Sequence, residues 1–312
     1  MTEKRKQLIT RIIRLLQSIG EYALIAIILI SILIAVYALW DIKFVASKAQ
    51  PSNYAIYKPG EDKGSWEELK ASNSEVIGWI NIYGTNIDYP VVQAKDNEKY
   101  LMTDAFGRYS LSGAIFLDYR NKADFSDFNN IIHGHSMSHN AMFGDVSDFL
   151  DEEFYRTHGY GDLFFSETHH GLKIIAIAEV DAYTSGLYRM VLGRDESADA
   201  FFSELDSASK FAIDESDKNA DYTYVLLSTC TSAFTNGRHI LVCRLTDEVY
   251  ENAYASDTET AARDTVGGPR VRIRFLLIVL IIIALLVIIT KALDAYDKKQ
   301  REKLETRKTS EN

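Results

Sequence analysis

The sequence contains few cysteines: only Cys230 and Cys243 occur among its 312 residues. Small secreted domains that depend on a disulfide framework carry cysteines at a much higher density, so that class of protein is excluded. The sequence also lacks a Gly-rich phosphate-binding loop, an internal repeat and a low-complexity tract. P-loop nucleotide binding, a solenoid and a low-complexity disordered chain are therefore not predicted.

Positive charge is scarce in the middle of the chain. The net charge of -10 divides into +3 for residues 1–40, -15 for residues 41–274 and +2 for residues 275–312. Proteins that bind nucleic acid present a basic surface, so the acidic middle argues against nucleic acid as a partner. The distribution predicts an acidic domain between two segments that carry basic flanks.

Two long apolar runs interrupt the otherwise polar sequence. Residues 22–40 contain no charge, and residues 275–289 consist only of Phe, Leu, Ile, Val and Ala. A membrane-spanning helix needs about 20 apolar residues, so the first run predicts a span, and the second predicts one that its flanks complete, over residues 275–292. The alternatives are a cleaved signal peptide for the first run and a buried core helix for the second.

Basic residues beside both runs predict their orientation. Lys4, Arg5 and Lys6 precede the first run, and Lys298 and Lys299 follow the second. Cytoplasmic flanks are enriched in Lys and Arg, so both termini are expected in the cytoplasm and the middle domain outside the cell. The predicted segments are a cytoplasmic N-terminus (1–21), a span (22–40), an extracellular linker (41–64), a folded domain (65–249), a linker (250–274), a span (275–292) and a cytoplasmic tail (293–312).

Short segments rich in β-branched and aromatic residues recur through the middle domain, separated by turn residues. They predict strands over residues 76–82, 87–92, 113–117, 130–133, 162–165, 172–183, 222–228 and 238–245. Helical spacing predicts a helix that runs through Leu69, with Ser65 and Glu68 as its capping box, and further helices over residues 143–154 and around residues 200–205. Many short strands with a few inserted helices predict a mainly antiparallel β-barrel.

The two cysteines stand in different surroundings. Cys230 ends the apolar run 224–229, where its side chain is expected to emerge at a strand end. Cys243 lies within an apolar run and is expected to pack as a small hydrophobic residue. Cys230 is therefore the candidate nucleophile. The alternatives are a buried structural thiol and a disulfide with Cys243, which would remove the reactivity of both.

Histidine and arginine side chains could complete a site around Cys230. His133 ends a predicted strand and His135 follows it in the run His-Gly-His, and Arg238 begins the strand after Cys230. A Cys/His pair supports nucleophilic catalysis with His135 as acid and base, and a guanidinium can stabilise an oxyanion. The alternatives are a metal site, although the carboxylates usual in such sites do not follow these histidines, and a solvated strand-end charge for Arg238.

These residues together resemble the sortases, the membrane-anchored cysteine transpeptidases of Gram-positive bacteria. The signature Thr-Leu-x-Thr-Cys followed by Arg stands here as Leu226 to Cys230 and Arg238, with Leu226 where Thr is usual. Other runs across residues 65–245 are similar to class B in particular, namely 76–80 (VIGWI), 87–93 (IDYPVVQ), 113–118 (GAIFLD), 133–137 (HGHSM) and 142–144 (MFG).

The resemblance implies a fold, a location and a reaction. The fold would be a sortase-type antiparallel β-barrel with inserted helices, flanked by two transmembrane helices, with the catalytic domain on the outer side of the cell membrane. The reaction would be cleavage of an LPXTG-like sorting signal of a secreted protein or pilin, followed by transfer of the acyl group from the cysteine to an amine. The acceptor would be a pilin lysine or the peptidoglycan cross-bridge, and neither a metal nor an organic cofactor is implied.

The resemblance also implies residue roles. Cys230 would be the nucleophile, His135 the general acid and base, and Arg238 the residue that positions the substrate and its oxyanion. Substrate-lining positions would be Ser228 and Thr229. His133 stands where the family usually has Tyr or Ala, which makes it a neighbour of the site, with an exchange of roles between His133 and His135 as the alternative.

The predicted second span separates this chain from most class B enzymes, which generally have one N-terminal anchor. A C-terminal span is common among pilin-polymerising sortases, but the Asp-Pro-aromatic lid of class C is absent around Pro51 and Pro59. The combination predicts a class B barrel used in pilus assembly. The alternatives are a class B sortase that anchors a surface or haem-uptake protein to peptidoglycan, and a membrane-tethered adhesion module without activity.

Overall fold

The computed structural model of the chain describes residues 3–60, 63–137, 140–189, 196–230 and 236–255. The α-helices within them are α1 (Glu3–Lys48), α2 (Lys63–Ser72), α3 (Glu152–Thr157) and α4 (Glu196–Ala208). The strands are β1 (Val76–Ile82), β2 (Asp88–Val92), β3 (Ile115–Leu117), β4 (Asn129–His133), β5 (Tyr160–Phe165), β6 (Thr168–Asp181), β7 (Thr223–Cys230) and β8 (Gly237–Thr246). The predicted second span and cytoplasmic tail lie outside the described residues.

The eight strands close into one barrel in the order β1-β2-β3-β4-β7-β8-β6-β5. The pairs β2–β3 and β4–β7 are parallel, and the other six neighbouring pairs are antiparallel. The prediction of a mainly antiparallel β-barrel with inserted helices is confirmed. Each predicted strand is present, and its ends differ from the prediction by at most four residues.

Strands β7 and β8 are apolar on both faces. Val225 and Leu241 belong to a buried cluster that draws residues from all eight strands and fills the barrel interior. Leu226 and Ile240, which point the other way, pack in a second cluster with Phe201 of α4. Successive side chains of a strand alternate between faces, so α4 covers the outer face of β7 and β8.

Two predictions about helices are wrong in detail. Ser65 lies inside α2, which begins at Lys63, and so it does not occupy the capping position. The predicted helix over residues 143–154 is divided at Asp151 into a 3-10 helix, Gly144–Leu150, and α3. The Asp151 carboxylate accepts a hydrogen bond from the backbone N–H of Phe154 at 3.0 Å, which satisfies a free donor in the first turn of α3 and starts a new helix there.

Helix α1 meets the barrel directly. Its stretch Ser18–Lys48 is long and apolar enough to cross a membrane, by length and composition. Asn53 Nδ2 donates hydrogen bonds to the carbonyl oxygens of Ser47 and Lys48 at 2.9 and 3.1 Å, and the hydroxyl of Tyr89 in β2 donates to the Ala49 carbonyl at 2.9 Å. These bonds satisfy carbonyl groups that a helix end leaves free, and they tie the end of α1 to the barrel.

The first residues after the barrel also pack against it. The ring of Tyr250 stacks on Tyr160 at 4.2 Å, and the ring of Tyr254 stacks on His158 at 4.9 Å. The Tyr254 hydroxyl donates to the Thr157 carbonyl oxygen at 2.9 Å. The start of the segment predicted as a linker, residues 250–274, is thus part of the folded body.

Candidate active site

The predicted site residues lie at neighbouring strand ends. Cys230 is the last residue of β7, and its Cα is paired with that of Arg238, the second residue of β8. Strands β4 and β7 run in parallel, and their ladder continues to Gly134, whose N–H donates to the Ser228 carbonyl at 3.1 Å. His135 follows directly. These three strands therefore bring His135, Cys230 and Arg238 to the same end of the barrel.

The two cysteines differ as the sequence predicts. For Cys230 the structure describes the backbone, which ends a strand. Cys243 is a free cysteine in the barrel interior, where burial raises the pKa of its thiol well above the usual range. A thiol that is not ionised is a poor nucleophile, so Cys243 is chemically inert in the folded protein. Because Cys243 is free, the alternative of a Cys230–Cys243 disulfide is wrong.

A cavity of about 140 Å³ opens at these strand ends. Four of the five predicted site residues line it, together with side chains that the sequence did not single out. The lining residues are Asn97, Leu101, Phe116, His133, Gly134, His135, Ser228, Thr229 and Arg238. Thr229 is buried, and its hydroxyl has no hydrogen-bond partner among the described residues. The cavity thus joins the predicted acid/base, the predicted substrate-lining positions and the predicted oxyanion residue.

His135 and Arg238 hold geometries that suit proton transfer and charge stabilisation. His135 Nε2 lies 3.0 Å from the Leu101 carbonyl oxygen. A carbonyl oxygen can only accept, so Nε2 donates this bond and the ring is oriented by the backbone. Arg238 Nη1 donates to the Gly237 carbonyl at 3.0 Å. A guanidinium carries five N–H donors in a rigid fork. One bond to its own strand therefore leaves other N–H groups of Arg238 for the cavity that this residue lines.

His133 has different surroundings, because a buried carboxylate holds it. Its Nε2 lies 3.2 Å from Asp118 Oδ2. Asp118 also accepts from Nε and Nη2 of Arg120, both at 2.8 Å, and from Asn97 Nδ2 at 2.9 Å. Burial alone would raise the pKa of Asp118, but the bonds from Arg120 and His133 outweigh it and hold that pKa far below its usual range. The ionised carboxylate fixes His133 at the cavity wall.

A tyrosine from the connection between β6 and β7 contacts a residue that lines the cavity. Tyr188 ends the 3-10 helix Gly186–Tyr188, and its hydroxyl lies 2.5 Å from Ser228 Oγ. Its ring is nearly parallel to that of His133, with 4° between the planes and 6.4 Å between the centroids. The sequence did not single out Tyr188, Asn97 or the pairing of Asp118 with Arg120. These residues lie in connections between strands, far from Cys230 along the chain, where no periodic signal exists.

The two histidines of the His-Gly-His run hydrogen-bond to different groups, one to a carboxylate and the other to a backbone carbonyl. Among the described residues, no group of three or more His, Cys, Asp or Glu side chains is placed to hold a metal ion.

No protein-family model matches the chain. It is 37% identical over 120 residues to sortase B of Listeria monocytogenes, and it spans about half the length of that protein, 49%. It is also similar to the crystal structure of sortase B from the type II pilus of Streptococcus pneumoniae, with 44% identity, a TM-score of 0.50, and coverage of 58% of this chain and 98% of that one. The structure of a Streptococcus pyogenes class B sortase involved in pilus biogenesis is 31% identical, with a TM-score of 0.53. The match covers 59% of this chain and 100% of that one.

These similarities fall on a barrel with a cysteine at a strand end and with His and Arg side chains lining the adjacent cavity. The pneumococcal structure is matched over almost its whole length at an identity well above 30%. The chain therefore belongs to the class B sortase family of cysteine transpeptidases.

Proposed function

We propose that this protein is a membrane-anchored sortase that cleaves a C-terminal sorting signal and transfers the acyl group to an amine, polymerising pilin subunits. The observation that carries the proposal is the strand register that sets Cys230 opposite Arg238, at the cavity that His135 and Arg238 line. The pilus role is supported by the 44% identity to a sortase from a pneumococcal pilus.

The residues would act in two steps. In the first, the Cys230 thiolate attacks the carbonyl carbon of the scissile peptide, a C–S bond forms, and the negative charge that develops on oxygen is stabilised by N–H groups of Arg238. His135 then protonates the leaving amine, the C–N bond breaks, and a thioester remains on Cys230. In the second step, an acceptor amine attacks the thioester, His135 removes a proton from that amine, and the thiolate leaves.

The surrounding residues would position the sorting signal. Ser228 and Thr229 line the cavity beside the predicted nucleophile, and the buried Thr229 hydroxyl, which has no partner within the part of the chain that the structure describes, would donate to or accept from a substrate group. His133 lines the same cavity, and the ring of Tyr188 lies nearly parallel to that of His133. A cavity of about 140 Å³ accommodates a few side-chain atoms, so it fits one residue of an extended peptide and not a whole folded partner.

We further propose the location that the sequence predicts. Helix α1 would cross the membrane, the barrel would lie on the outer side, and residues 275–292 would return the tail to the cytoplasm. The support is the apolar stretch Ser18–Lys48, together with basic residues before the first apolar run and after the second. A sorting-signal protein held in the same membrane would then meet the enzyme by lateral diffusion.

The experiment is analysis of the covalent product made in cells that express the full chain with candidate surface proteins. An isopeptide bond between two pilins, found by mass spectrometry, is the expected product. If the product is instead linked to wall peptide, the pilus role is wrong, and the enzyme anchors a surface or haem-uptake protein to the wall. Cys230→Ala should abolish every product, whereas Cys243→Ala is the matched control and should retain transfer. Product made by Cys230→Ala would refute the mechanism, and a phenotype without any product would favour an adhesion module.

A further inference from the structure

The catalytic domain meets α1 close to the level where the helix leaves its apolar run. That run ends at Trp40, and the rings of Tyr37, Trp40 and Phe44 follow one another at centroid distances of 6.0 and 5.4 Å, a composition enriched at membrane interfaces. Ala46 is already buried. Six residues at 1.5 Å each place this contact about 9 Å beyond Trp40, and the headgroup region on one side of a bilayer is about 5–8 Å thick. The base of the domain thus lies at the outer edge of the headgroup region.

Large apolar side chains are exposed at this base. Outside α1, nine large apolar side chains are exposed among the described residues, and five of the nine lie in residue 56 and the loop 101–111. We call these five the basal surface: Ile56, Leu101, Met102, Tyr109 and Leu111. Tyr109 is 76% and Ile56 71% exposed. Exposed apolar residues that cluster in this way mark an interaction surface, whereas scattered ones need no explanation.

The basal surface is continuous with the end of α1. Ile56 and Tyr109 line a cavity of about 340 Å³ together with Lys48, the last residue of α1. Met102 joins them because its carbonyl oxygen accepts from the N–H of Ser110 at 3.0 Å. The surface therefore borders the end of α1, and a membrane crossed by α1 would be the nearest large apolar phase.

Charge also favours a membrane at this surface. Lys48 and Arg108 line the cavity beside the basal surface, and the single carboxylate there, Asp104, is paired with Arg108 at 2.9 Å. The cavity lining thus carries a net positive charge, although residues 41–274 together carry -15. An anionic leaflet repels most of this acidic domain and attracts the part with excess cations.

The basal surface borders the active site. Leu101 belongs to both, because it is exposed, it lines the active-site cavity, and its carbonyl oxygen accepts the hydrogen bond from His135 Nε2. Whatever covers the loop 101–111 therefore lies next to the acid/base residue.

We propose that the basal surface rests on the outer leaflet of the membrane that α1 crosses, so that the active-site cavity opens at the level of the lipid headgroups. This inference rests on the membrane anchoring proposed above. Contact with lipid would remove apolar area of Tyr109, Ile56 and Leu111 from water, and the rigid junction at Asn53 and Tyr89 holds the domain at the required height.

The direct test uses the full chain in vesicles of phosphatidylcholine and phosphatidylglycerol. Tyr109→Cys, made in a Cys230→Ala background, is labelled with an environment-sensitive fluorophore, and the buried Cys243 thiol stays unlabelled under native conditions. The matched control is Tyr119→Cys, an exposed tyrosine beyond the other end of β3. We expect a blue-shifted emission and quenching by spin-labelled lipid at position 109, and neither at position 119.

Each other outcome overturns the inference in a distinguishable way. Protein that does not float with the vesicles contradicts the membrane anchor, and both proposals about location fail together. Protein that floats but shows no response at position 109 overturns this inference alone. A blue shift at position 109 that lipid quencher leaves unchanged, and that grows with protein density in the membrane, would assign the basal surface to a second copy of the chain.

A functional arm separates lipid contact from damage to the enzyme. The double variant Tyr109→Glu with Leu111→Glu should lower kcat/KM about tenfold for a substrate anchored in the same vesicles, because charges replace two exposed apolar side chains that would contact the lipid. It should leave kcat/KM unchanged for a short soluble sorting peptide, because neither residue lines the active-site cavity. An equal loss for both substrates, or no loss for either, would contradict the inference. If the wild-type chain lacks transferase activity, the fluorescence arm still decides.

Discussion

Replacement of Asp118 by Asn is expected to lower the free energy of unfolding by about 3 kcal/mol at neutral pH. The carboxylate is 1% exposed and accepts three side-chain hydrogen bonds of 2.8 to 2.9 Å from Arg120 and Asn97. An Asn of the same shape removes the charge, and its amide NH2 replaces one carboxylate oxygen. That NH2 group would face the N–H donors of Arg120 and Asn97. Breaking a buried ion pair costs about 3–5 kcal/mol, and water that reaches the Arg120 side chain, 38% exposed, brings the expected cost to the lower end.

The same carboxylate sets the pH dependence of this loss. Hydrogen bonds from Arg120 and His133 outweigh the opposing effect of burial and lower the pKa of Asp118 in the folded protein, whereas an unfolded Asp titrates near 3.9. A lowered folded-state pKa stabilises the protein above the unfolded value, and that stability is lost as the pH falls below it. The difference in stability between the wild type and Asp118→Asn should therefore be largest above about pH 5 and shrink toward about pH 3.

The assay is urea unfolding of the full chain in detergent, followed by near-ultraviolet circular dichroism at several pH values. Asp124→Asn is the matched control, because Asp124 is exposed and bonds mainly to its neighbour Ser126; we expect a change below about 1 kcal/mol. A loss below about 1 kcal/mol for Asp118→Asn at neutral pH, or a difference that persists unchanged at pH 3, would refute this account of the Asp118 site.

Three further outcomes are expected. His135→Ala should lower kcat about 10²- to 10⁴-fold, while His133→Phe keeps kcat within about tenfold, and the reverse result would exchange their roles. Tyr89→Phe should cost about 1–3 kcal/mol in urea unfolding, because its hydroxyl bonds to two buried backbone groups, whereas Tyr109→Phe at the exposed loop should cost almost nothing; equal costs would contradict this. Gly134→Ala should lower kcat at little change in KM, because a Cβ there would lie 2.6 Å from Ile115 and Phe143 and displace the neighbouring His135; wild-type kcat would contradict this.

The strands of the barrel could be predicted because their signals are local. Each one is a short β-branched or aromatic run bounded by turn residues, and β1 has the predicted ends, Val76 and Ile82. The beginning of α2 could not be placed, because Ser65 and Glu68 have the spacing of a capping box whether or not the helix starts there. The break at Asp151 was missed because apolar spacing continues across it, and only the hydrogen bond to the Phe154 N–H shows that a new helix starts.

The predicted site is a partial account of the cavity. His135, Ser228, Thr229 and Arg238 line it as the resemblance implied, because they flank motif residues on three neighbouring strands. The hydrogen bond between Asp118 and His133 depends on the pairing of β3 with β4. That pairing is a tertiary contact with no local signal in the sequence. Tyr188 reaches the site from a connection whose path cannot be derived from residue spacing. The roles of Cys230, His135 and Arg238 stay predictions until the variants are measured.

The β7–β8 ladder has a consequence for how such a site can be re-engineered. Eight consecutive residue pairs, from Thr223 with Leu245 to Cys230 with Arg238, fix the separation of the last pair by backbone hydrogen bonds alone. Variants of the segment between these two strands can therefore be tested for a change in which peptides are accepted, because the ladder keeps the backbone of Cys230 opposite that of Arg238. The ladder makes this hairpin a natural position for a library aimed at new sorting signals.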